Sequence, residues 1–188
     1  MSRIIAGTAG GLSLGNVSGD GTRPTTDRVK ESVFSRLEHW DAFSGASVLD
    51  LFAGSGALGL EAMSRGAHHA VLVDAASAAV KVSQANARRV AKSLGRPDAI
   101  RVVKGKAPGV LSSIDGDWDL VFVDPPYPMA ENELAHVLET IAPRLRPDAV
   151  VVVERSSRSP EPVWPAGLKP LSEKKYGETR VYYVEPVA

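Results

Sequence analysis

The stretch Val48-Leu-Asp-Leu-Phe-Ala-Gly-Ser-Gly-Ala-Leu-Gly59 decides the fold of this chain. Its apolar beginning predicts a strand over 47–51, its glycines predict a tight turn, and the residues from about 57 to 65 predict a helix. Gly54 and Gly56 permit backbone angles that other residues avoid, so the turn can lie close to a ligand. Because ligands of open α/β sheets bind beyond the carboxyl ends of the strands, this turn is a candidate binding site.

Alternating strands and helices surround this turn. Apolar runs predict further strands over 70–74, 100–103, 119–124, 149–153, 168–176 and 179–187, and helical periodicity predicts helices over 26–40, 77–93 and 131–145. This alternation predicts a doubly wound α/β sheet. The Gly-, Ser- and Thr-rich residues 3–21 predict a small β-hairpin arm, which divides the chain into an arm over 1–22 and a main domain over 23–188.

The composition restricts the class of protein. The chain has 188 residues, of which 44% are hydrophobic and 23% charged, as expected for one soluble globular domain. The absence of cysteine excludes a disulfide-stapled fold, thiolate metal sites and a cysteine nucleophile of the kind that methylates cytosine at carbon. No apolar run is long enough to span a membrane, and the N-terminus lacks a signal-peptide pattern, so we expect a cytoplasmic protein without membrane contact.

The glycine turn and the acid after the next strand suit a nucleotide cofactor. Asp74 ends the strand 70–74, where a carboxylate can accept hydrogen bonds from ribose hydroxyls of either a dinucleotide or S-adenosylmethionine. Asp50 stands just before the glycines, where an acid would repel a pyrophosphate but suit the cationic groups of S-adenosylmethionine. The simpler interpretations are a structural turn for the glycines and a helix N-cap for Asp74. The predicted cofactor-binding residues of this region are Asp50, Phe52, Ala53, Gly54, Ser55, Gly56 and Asp74.

The sequence Asp124-Pro125-Pro126-Tyr127 closes the strand 119–124 and predicts a catalytic site. The exocyclic amine of a nucleic-acid base is a poor nucleophile, because its lone pair is delocalised into the ring. The Asp124 carboxylate and the Pro125 carbonyl, held by successive prolines, can accept hydrogen bonds from both N–H groups and expose that lone pair. Tyr127 offers a ring on which the base can stack. An ordinary Pro-rich turn is the simpler alternative, and related motifs with Asn serve methylation of glutamine side chains.

Together these residues resemble one family. Arg3-Ile-Ile, Arg23-Pro-Thr-Thr-Asp-Arg-Val-Lys-Glu31, Leu49 to Ala62 and Asp124-Pro-Pro-Tyr127 are similar to the RsmD family, which methylates the exocyclic amine of a guanine in small-subunit 16S ribosomal RNA. The resemblance implies the Rossmann-like class I methyltransferase fold, with seven mostly parallel strands and an antiparallel last strand. It also implies an RNA substrate, which we expect within a small ribosomal subunit or assembly intermediate. We expect S-adenosylmethionine as cofactor, with S-adenosylhomocysteine as its product, and no metal, because the four histidines show no metal-ligand spacing.

The resemblance also guides the assignment of several individual residues. It implies that Arg23 and Arg28 contact RNA together with Tyr127, whereas Lys30 and Arg36 are interpreted as members of a solvated helix face. The turn 105–107 lacks the family's acidic or polar residue near adenine, so Ala107 is predicted to contact the cofactor through its backbone. The arm residues 7–13 lack the family's Trp and basic residues.

Three other functions share parts of this pattern. A DNA amino-methyltransferase acting on adenine or cytosine would use the same motifs. A nucleic-acid-binding module without catalysis is a second alternative, although Asp124, Pro125 and the glycine turn are intact. A nicotinamide-dependent oxidoreductase is a third, and it would need a proton donor near the cofactor that the sequence does not supply. A chain of this size carries no separate target-recognition domain, so we expect the shape of a folded or assembled RNA to supply the sequence context. We also expect a monomer.

Overall fold

The computed structural model describes residues 2–18 and 27–188. The predicted boundary between residues 22 and 23, and Arg23 itself, lie outside the described residues. The helices are α1 (Asp27–His39), α2 (Ala57–Ser64), α3 (Ser77–Leu94) and α4 (Glu131–Ile141). The strands are β1 (Ser2–Arg3), β2 (Ser13–Leu14), β3 (Ser47–Asp50), β4 (His69–Asp74), β5 (Ile100–Lys104), β6 (Trp118–Val123), β7 (Leu145–Ser156), β8 (Leu168–Tyr176) and β9 (Thr179–Pro186).

The main sheet has seven strands in the order β5-β4-β3-β6-β7-β9-β8. The first five are parallel to their neighbours, and β9 runs antiparallel to both β7 and β8. Strand order reverses between β3 and β6, which makes the carboxyl ends of these strands the switch point at which such sheets bind ligands. The predicted seven-stranded, mostly parallel sheet with an antiparallel last strand and a small N-terminal hairpin is confirmed.

Apolar side chains cover both faces of the sheet. On one face, helices α1, α2 and α3 pack on residues such as Phe122 and Val152, and the Phe34 ring of α1 lies 5.6 Å from the Phe122 ring. On the other face, α4 packs on Val121 and Val153. Because side chains alternate along a strand, residues two positions apart share a face. The strands β3, β4, β6 and β7 are therefore fixed between two cores, and their carboxyl ends form one rigid edge.

The helix predicted over 131–145 is too long. Helix α4 ends at Ile141, a short 3-10 turn covers 142–144, and β7 begins at Leu145, four residues before the predicted strand 149–153. Pro143 explains the early end, since proline has no N–H to donate and clashes with the preceding helical turn. The extra residues of β7 are accommodated by a register shift between Trp118 and Leu120 of β6.

The N-terminal arm is anchored to helix α2. Ile4 and Leu14 are buried in the core, and the backbone N–H groups of Ile5 and Ala6 donate to the two carboxylate oxygens of Glu61 at 2.8 and 3.1 Å. Ala9 N–H also donates a hydrogen bond to Ser64 Oγ at 2.9 Å. The first part of the arm therefore packs on the main domain through buried contacts.

Two interpretations of α1 were wrong. Lys30, expected on a solvated face, is buried and lies 3.2 Å from Glu61 Oε1, because the arm covers this part of the helix. Arg36, also expected to be solvated, is half-buried and donates to Ser172 Oγ at 2.6 Å. Its guanidinium lies over the Trp40 and Tyr183 rings, 5.7 and 5.3 Å from their centroids. Neither contact is predictable from helical spacing, since Glu61 and Ser172 come from distant segments.

Within residues 2–18 and 27–188, no helix is both long enough and apolar enough to cross a membrane.

Candidate functional site

The glycine turn between β3 and α2 has the backbone shape that its sequence predicts. Gly54 and Gly56 have φ angles of 56° and 87°, in the left-handed region, and Gly56 N–H donates to the Ala53 carbonyl at 2.7 Å. A Cβ on Gly59 would lie 2.4 Å from Leu72 Cδ2, so this glycine lets α2 approach β4. A Cβ on Gly54 would meet no described atom within 4 Å, so this part of the turn faces open space.

Asp74 holds the glycine turn in place. Its Oδ2 accepts a hydrogen bond from Gly54 N–H at 2.9 Å, and its Oδ1 accepts one from Ala76 N–H at 2.9 Å, just before helix α3. Asp74 therefore has part of the local capping role that was the simpler interpretation, because its Oδ1 accepts a hydrogen bond in the turn that leads into α3. The other oxygen ties the end of β4 to the turn after β3, which places this carboxylate at the predicted cofactor site.

Asp50 is fully buried at the end of β3. Its Oδ2 accepts from Gly59 N–H at 3.1 Å, whereas its buried Oδ1 has no hydrogen-bond partner among the described residues. Burial raises the pKa of this carboxyl to about 7, although the Gly59 hydrogen bond lowers it, and the charges of Asp124 and Asp74 raise it further. A bound cation next to Asp50 would stabilise its ionised form, which burial disfavours.

The other predicted cofactor residues differ in what they can offer. Phe52 and Ser55 are half-buried in the glycine turn, and Ala53 N–H donates to the Val73 carbonyl at 2.8 Å. Ala107 follows β5, and its side chain is buried in the core on the α4 side of the sheet. Only the backbone of Ala107 can therefore contact a ligand, and its role stays a prediction.

Sequence reasoning missed Asn86, a buried residue of α3. Its Nδ2 donates to the Ser55 carbonyl at 2.8 Å and to the Gly15 carbonyl at 3.0 Å, and its Oδ1 accepts from Gly15 N–H at 2.8 Å. This one amide joins the glycine turn to the N-terminal arm. A lone Asn in a helix gives no sequence signal for such a role, because Ser55 and Gly15 lie far away in the chain.

The segment 124–127 leaves the sheet directly after β6. Asp124 is half-buried, Pro125 is buried, and the Tyr127 side chain is 48% exposed. The Pro126 carbonyl accepts from Met129 N–H at 3.0 Å, so it is committed to closing the turn. Asp50 of β3 pairs with Phe122 of β6, two residues before Asp124, so this segment leaves the sheet next to the strand that carries the glycine turn. An exposed ring next to a half-buried carboxylate suits a flat polar ligand.

Sequence reasoning also missed Glu154, which is 7% exposed near the end of β7. Val123 of β6 pairs with Val153 of β7, so Asp124 and Glu154 follow at adjacent positions. Both lie two residues beyond members of the same core cluster, Phe122 and Val152, and therefore project to the same face. The available signal was an acid directly after the four valines at 150–153.

Four acids thus lie at or near the carboxyl ends of four neighbouring strands, in the sheet order β4, β3, β6 and β7. We call this set the acidic edge: Asp74, Asp50, Asp124 and Glu154. All four lie two residues beyond members of one core cluster and so project to one face of the sheet. Neighbouring strands are about 4.8 Å apart, so the three intervals between the four acids span about 14 Å. Such an edge binds cationic groups and hydrogen-bond donors.

The predicted nucleic-acid residues are not all brought together. Arg28 is exposed on α1 and lines a groove with Lys174 and Tyr176 of β8. Tyr127 instead lies close to Asp124, at the carboxyl end of β6. Arg28 is thus placed on a different surface feature from the acidic edge.

Comparisons with known proteins agree with this geometry. The family model described as Conserved hypothetical protein 95 matches residues 2–185. The Ribosomal RNA small subunit methyltransferase D of Escherichia coli K12 is 36% identical over 188 residues, covering 97% of this chain and 90% of that protein. Its Haemophilus influenzae counterpart is 32% identical over 183 residues, covering 93% and 89%.

Solved structures of bacterial proteins have the same fold as this chain. The Escherichia coli protein yhhF, provisionally named a methyltransferase, is 33% identical with a TM-score of 0.83, and the match covers 100% of this chain and 98% of that one. A hypothetical protein of Thermus thermophilus, TTHA0928, is 28% identical with a TM-score of 0.80, over 98% of this chain and 99% of that one. The fold of this chain therefore belongs to an architecture found in several bacteria.

Proposed function

This chain belongs to the RsmD family of methyltransferases, and from that premise we propose that it methylates the exocyclic amine of a guanine in 16S ribosomal RNA. The observation that supports the proposal is the acidic edge, in which Asp124 follows β6 and β6 pairs with the strand that ends at Asp50. We further propose that the protein acts as a monomer in the cytoplasm, on the small ribosomal subunit or an assembly intermediate.

The residues of the glycine turn fit S-adenosylmethionine. Asp50 Oδ1, which has no partner in the described part of the chain, is buried at the end of β3, where it would stabilise a cationic amino acid group. Gly54 leaves open space in the same turn. Asp74 stands one strand further, where its carboxylate can accept hydrogen bonds from ribose hydroxyls. When bound, S-adenosylmethionine supplies an electrophilic methyl group on a sulfonium.

Asp124 and Pro125 prepare the nucleophile. The carboxylate and the carbonyl accept hydrogen bonds from the two N–H groups of the base amine, which favours a pyramidal nitrogen with an exposed lone pair. Tyr127, which is exposed, stacks on the base and fixes its orientation. The base nitrogen would gain its N–C bond as the methyl–sulfonium bond breaks, which would leave neutral S-adenosylhomocysteine. The nitrogen would then lose one proton to water, so no strong base is needed. Orientation and electrostatics therefore supply most of the acceleration.

Glu154 favours guanine over adenine and cytosine. Guanine presents two adjacent donors, N1–H and the exocyclic N–H groups, whereas adenine and cytosine place an acceptor beside their exocyclic amines. Asp124 and Glu154 are two acids at adjacent strand positions on one face, which matches two adjacent donors. If adenine or cytosine entered this site, the acceptor nitrogen of the base would face a carboxylate oxygen of the protein. Neither group could donate a hydrogen bond, so the site would reject these bases.

The deciding experiment is transfer of a labelled methyl group to small ribosomal subunits that lack the modification, followed by digestion to nucleosides. We expect N2-methylguanosine. Asp124→Ala should lower kcat by about 10³-fold or more while the affinity for S-adenosylmethionine stays the same, as for a group that acts in the transition state. Asp117→Ala, an exposed acid just before β6, is the matched control. Labelled N6-methyladenosine, or equal activity on DNA, would contradict the proposal.

The role of Glu154 has its own test. Glu154→Gln should lower kcat/KM on the guanine substrate by about 5- to 150-fold, since one mismatched edge contact is worth about 1–3 kcal/mol. Glu185→Gln, a half-buried acid on the neighbouring strand β9, is the matched control. An unchanged kcat/KM for Glu154→Gln would remove Glu154 from base recognition and leave the assignment of Asp124 intact.

A further inference from the structure

A groove outside the acidic edge lies between helix α1 and the edge strand β8. It has a volume of about 680 Å³, and its lining residues come from the exposed side of α1 and from the end of β8. Its cationic and aromatic side chains include Arg28, Arg36, Trp40, Lys174 and Tyr176, with Glu31 as the acid among them. We call this feature the α1–β8 groove.

The groove holds cations that are not paired with acids in the described part of the chain. Among residues 2–18 and 27–188, Arg28, Arg36 and Lys174 have no carboxylate oxygen within 4.0 Å, whereas two cations elsewhere on β8 and β9 are paired. Those two pairs are Lys169 with Glu185 at 3.7 Å and Arg180 with Glu173 at 3.1 Å. The chain has no net charge, whereas the three cations and the one acid of the groove give it a local excess of positive charge.

Aromatic rings lie among these cations. The Lys174 ammonium is 5.3 Å from the centroid of the Tyr176 ring, and the Arg36 guanidinium is 5.7 Å from that of Trp40. Both rings are half-buried, so part of each is accessible. Cations for phosphates and rings for bases are the combination by which proteins bind single-stranded nucleic acid.

One end of the groove leads to the catalytic edge. Tyr176 pairs with Thr179 of β9, and Thr179 pairs with Ser156, two residues beyond Glu154 on β7. Strand β8 runs parallel to β7, since both are antiparallel to β9, so Tyr176 lies at the same edge of the sheet as Asp124. Along α1, Arg28 and Arg36 are separated by a rise of about 12 Å, enough to contact more than one phosphate.

We propose that the α1–β8 groove binds the sugar–phosphate backbone of the RNA strand that flanks the target guanine. This inference rests on the proposed function and extends it: phosphate contacts in the groove supply affinity and register, while the acidic edge reads the base. The division explains how a chain without net charge holds a polyanion, because the cations are gathered where the strand leaves the catalytic edge.

The first experiment measures binding without catalysis. A fluorescent 12-nucleotide oligouridylate is titrated with the full chain, at several salt concentrations, and the affinity of Lys174→Glu and Arg28→Glu is compared with wild type. We expect at least a 5-fold weaker affinity for each variant, and a log–log salt dependence that is shallower by about 0.7 for each phosphate that the variant no longer binds. Lys169→Glu, on the same strand but paired with Glu185, is the matched control and should change neither quantity.

The second experiment measures methyl transfer to small subunits that lack the modification. The Lys174→Glu substitution should raise KM about 10-fold with kcat unchanged, as expected when an interaction is equally strong in the ground and transition states. Unaltered affinity for S-adenosylmethionine verifies folding. Methyl transfer with wild-type KM and salt slope in both groove variants would overturn the groove assignment and leave the proposed function standing. A lack of transfer by every protein, with oligouridylate binding still weakened at least 5-fold in the variants, would overturn the proposed function alone.

A competing occupant is an acidic protein segment. Poly-L-glutamate is therefore titrated in parallel. Tighter binding of poly-L-glutamate than of oligouridylate, with loss of both in Lys174→Glu, would replace RNA by an acidic polypeptide as the ligand of this groove. Weak binding of poly-L-glutamate supports RNA, because the rings of Trp40 and Tyr176 have no base to stack on in that polymer.

Discussion

Glu61 and Asp50 are both completely buried carboxylates, yet they are satisfied to different degrees. Glu61 accepts from two backbone N–H groups, contacts Lys30 at 3.2 Å and accepts from Arg65 at 2.9 Å. Asp50 accepts one hydrogen bond, and its other oxygen has no partner within residues 2–18 and 27–188. The Glu61 cluster is complete within the chain and serves the fold, whereas we expect Asp50 to be completed by a bound cation.

The pKa values of the two groups move in opposite directions. Burial would raise the pKa of Glu61, but the hydrogen bond from Ile5 and the charge of Lys30 outweigh burial and lower it. Burial dominates at Asp50 and raises its pKa to about 7. Equal burial therefore does not indicate equal function. Both carboxylate oxygens of Glu61 have partners in the described part of the chain, which indicates a structural role. One oxygen of Asp50 has none, which suits a cationic ligand.

The largest predicted effect is on the structural cluster. Glu61→Ala removes the shared partner of Lys30, Arg65 and the arm, and should lower the free energy of unfolding by about 3–5 kcal/mol, since breaking a buried pair leaves charges uncompensated. Urea denaturation at pH 7 measures this change. Glu38→Ala removes the exposed partner of Arg65, 3.2 Å away, and should cost less than about 1 kcal/mol. Equal losses in the two variants would show that the buried cluster is no more stabilising than a surface pair.

Asp50→Asn should stabilise the protein above neutral pH, whereas Glu61→Ala should destabilise it. The folded chain holds the Asp50 proton up to about pH 7, whereas the unfolded chain loses it near pH 4, so wild-type stability falls as the pH rises between these values. Removing the charge should therefore raise the free energy of unfolding at pH 8 by up to about 4 kcal/mol and leave it unchanged at pH 4. Denaturation at both pH values measures this. Affinity for S-adenosylmethionine should fall, and a variant less stable at pH 8 would contradict this explanation.

Asp74→Ala tests the half-buried acid beside Asp50. The substitution removes the acceptor of Gly54 N–H, which holds the glycine turn, and the expected acceptor for ribose hydroxyls. The dissociation constant of S-adenosylmethionine should rise by about 10- to 100-fold, equivalent to about 1.4–2.7 kcal/mol. Calorimetric titration measures this change. Asp98→Ala, an exposed acid before β5, is the control, and an equal rise in both variants would mean that general charge, not position, sets the affinity.

The smallest effect is expected at an exposed pair. Arg146 lies 2.6 Å from Asp119, and both side chains are partly exposed, so Arg146→Ala should lower the free energy of unfolding by less than about 1 kcal/mol. Added salt should reduce the difference further. Thermal denaturation at low and high salt measures it. A loss as large as that of Glu61→Ala would mean that exposure does not separate the two kinds of pair.

The strands and helices of the main sheet were largely predictable from sequence. The glycine turn, the motif at Asp124 and the alternation of elements are local patterns, and local patterns determine local structure. The exception was the region after Ile141, where apolar spacing predicted a helix through residue 145 and Pro143 ended it earlier. The missing N–H group of Pro143 therefore outweighed the helical spacing of the apolar residues around it.

By itself, the sequence determined the fold class, the strands that carry Asp50, Asp74 and Asp124, and the resemblance to one family. Only the tertiary structure decided which distant residues meet: Glu154 beside Asp124, Lys30 against Glu61, and Lys174 opposite α1. The physical reason is that a residue's chemistry depends on its burial and neighbours. Those are set by strand pairing and helix packing across the whole chain, and not by the residues adjacent in sequence.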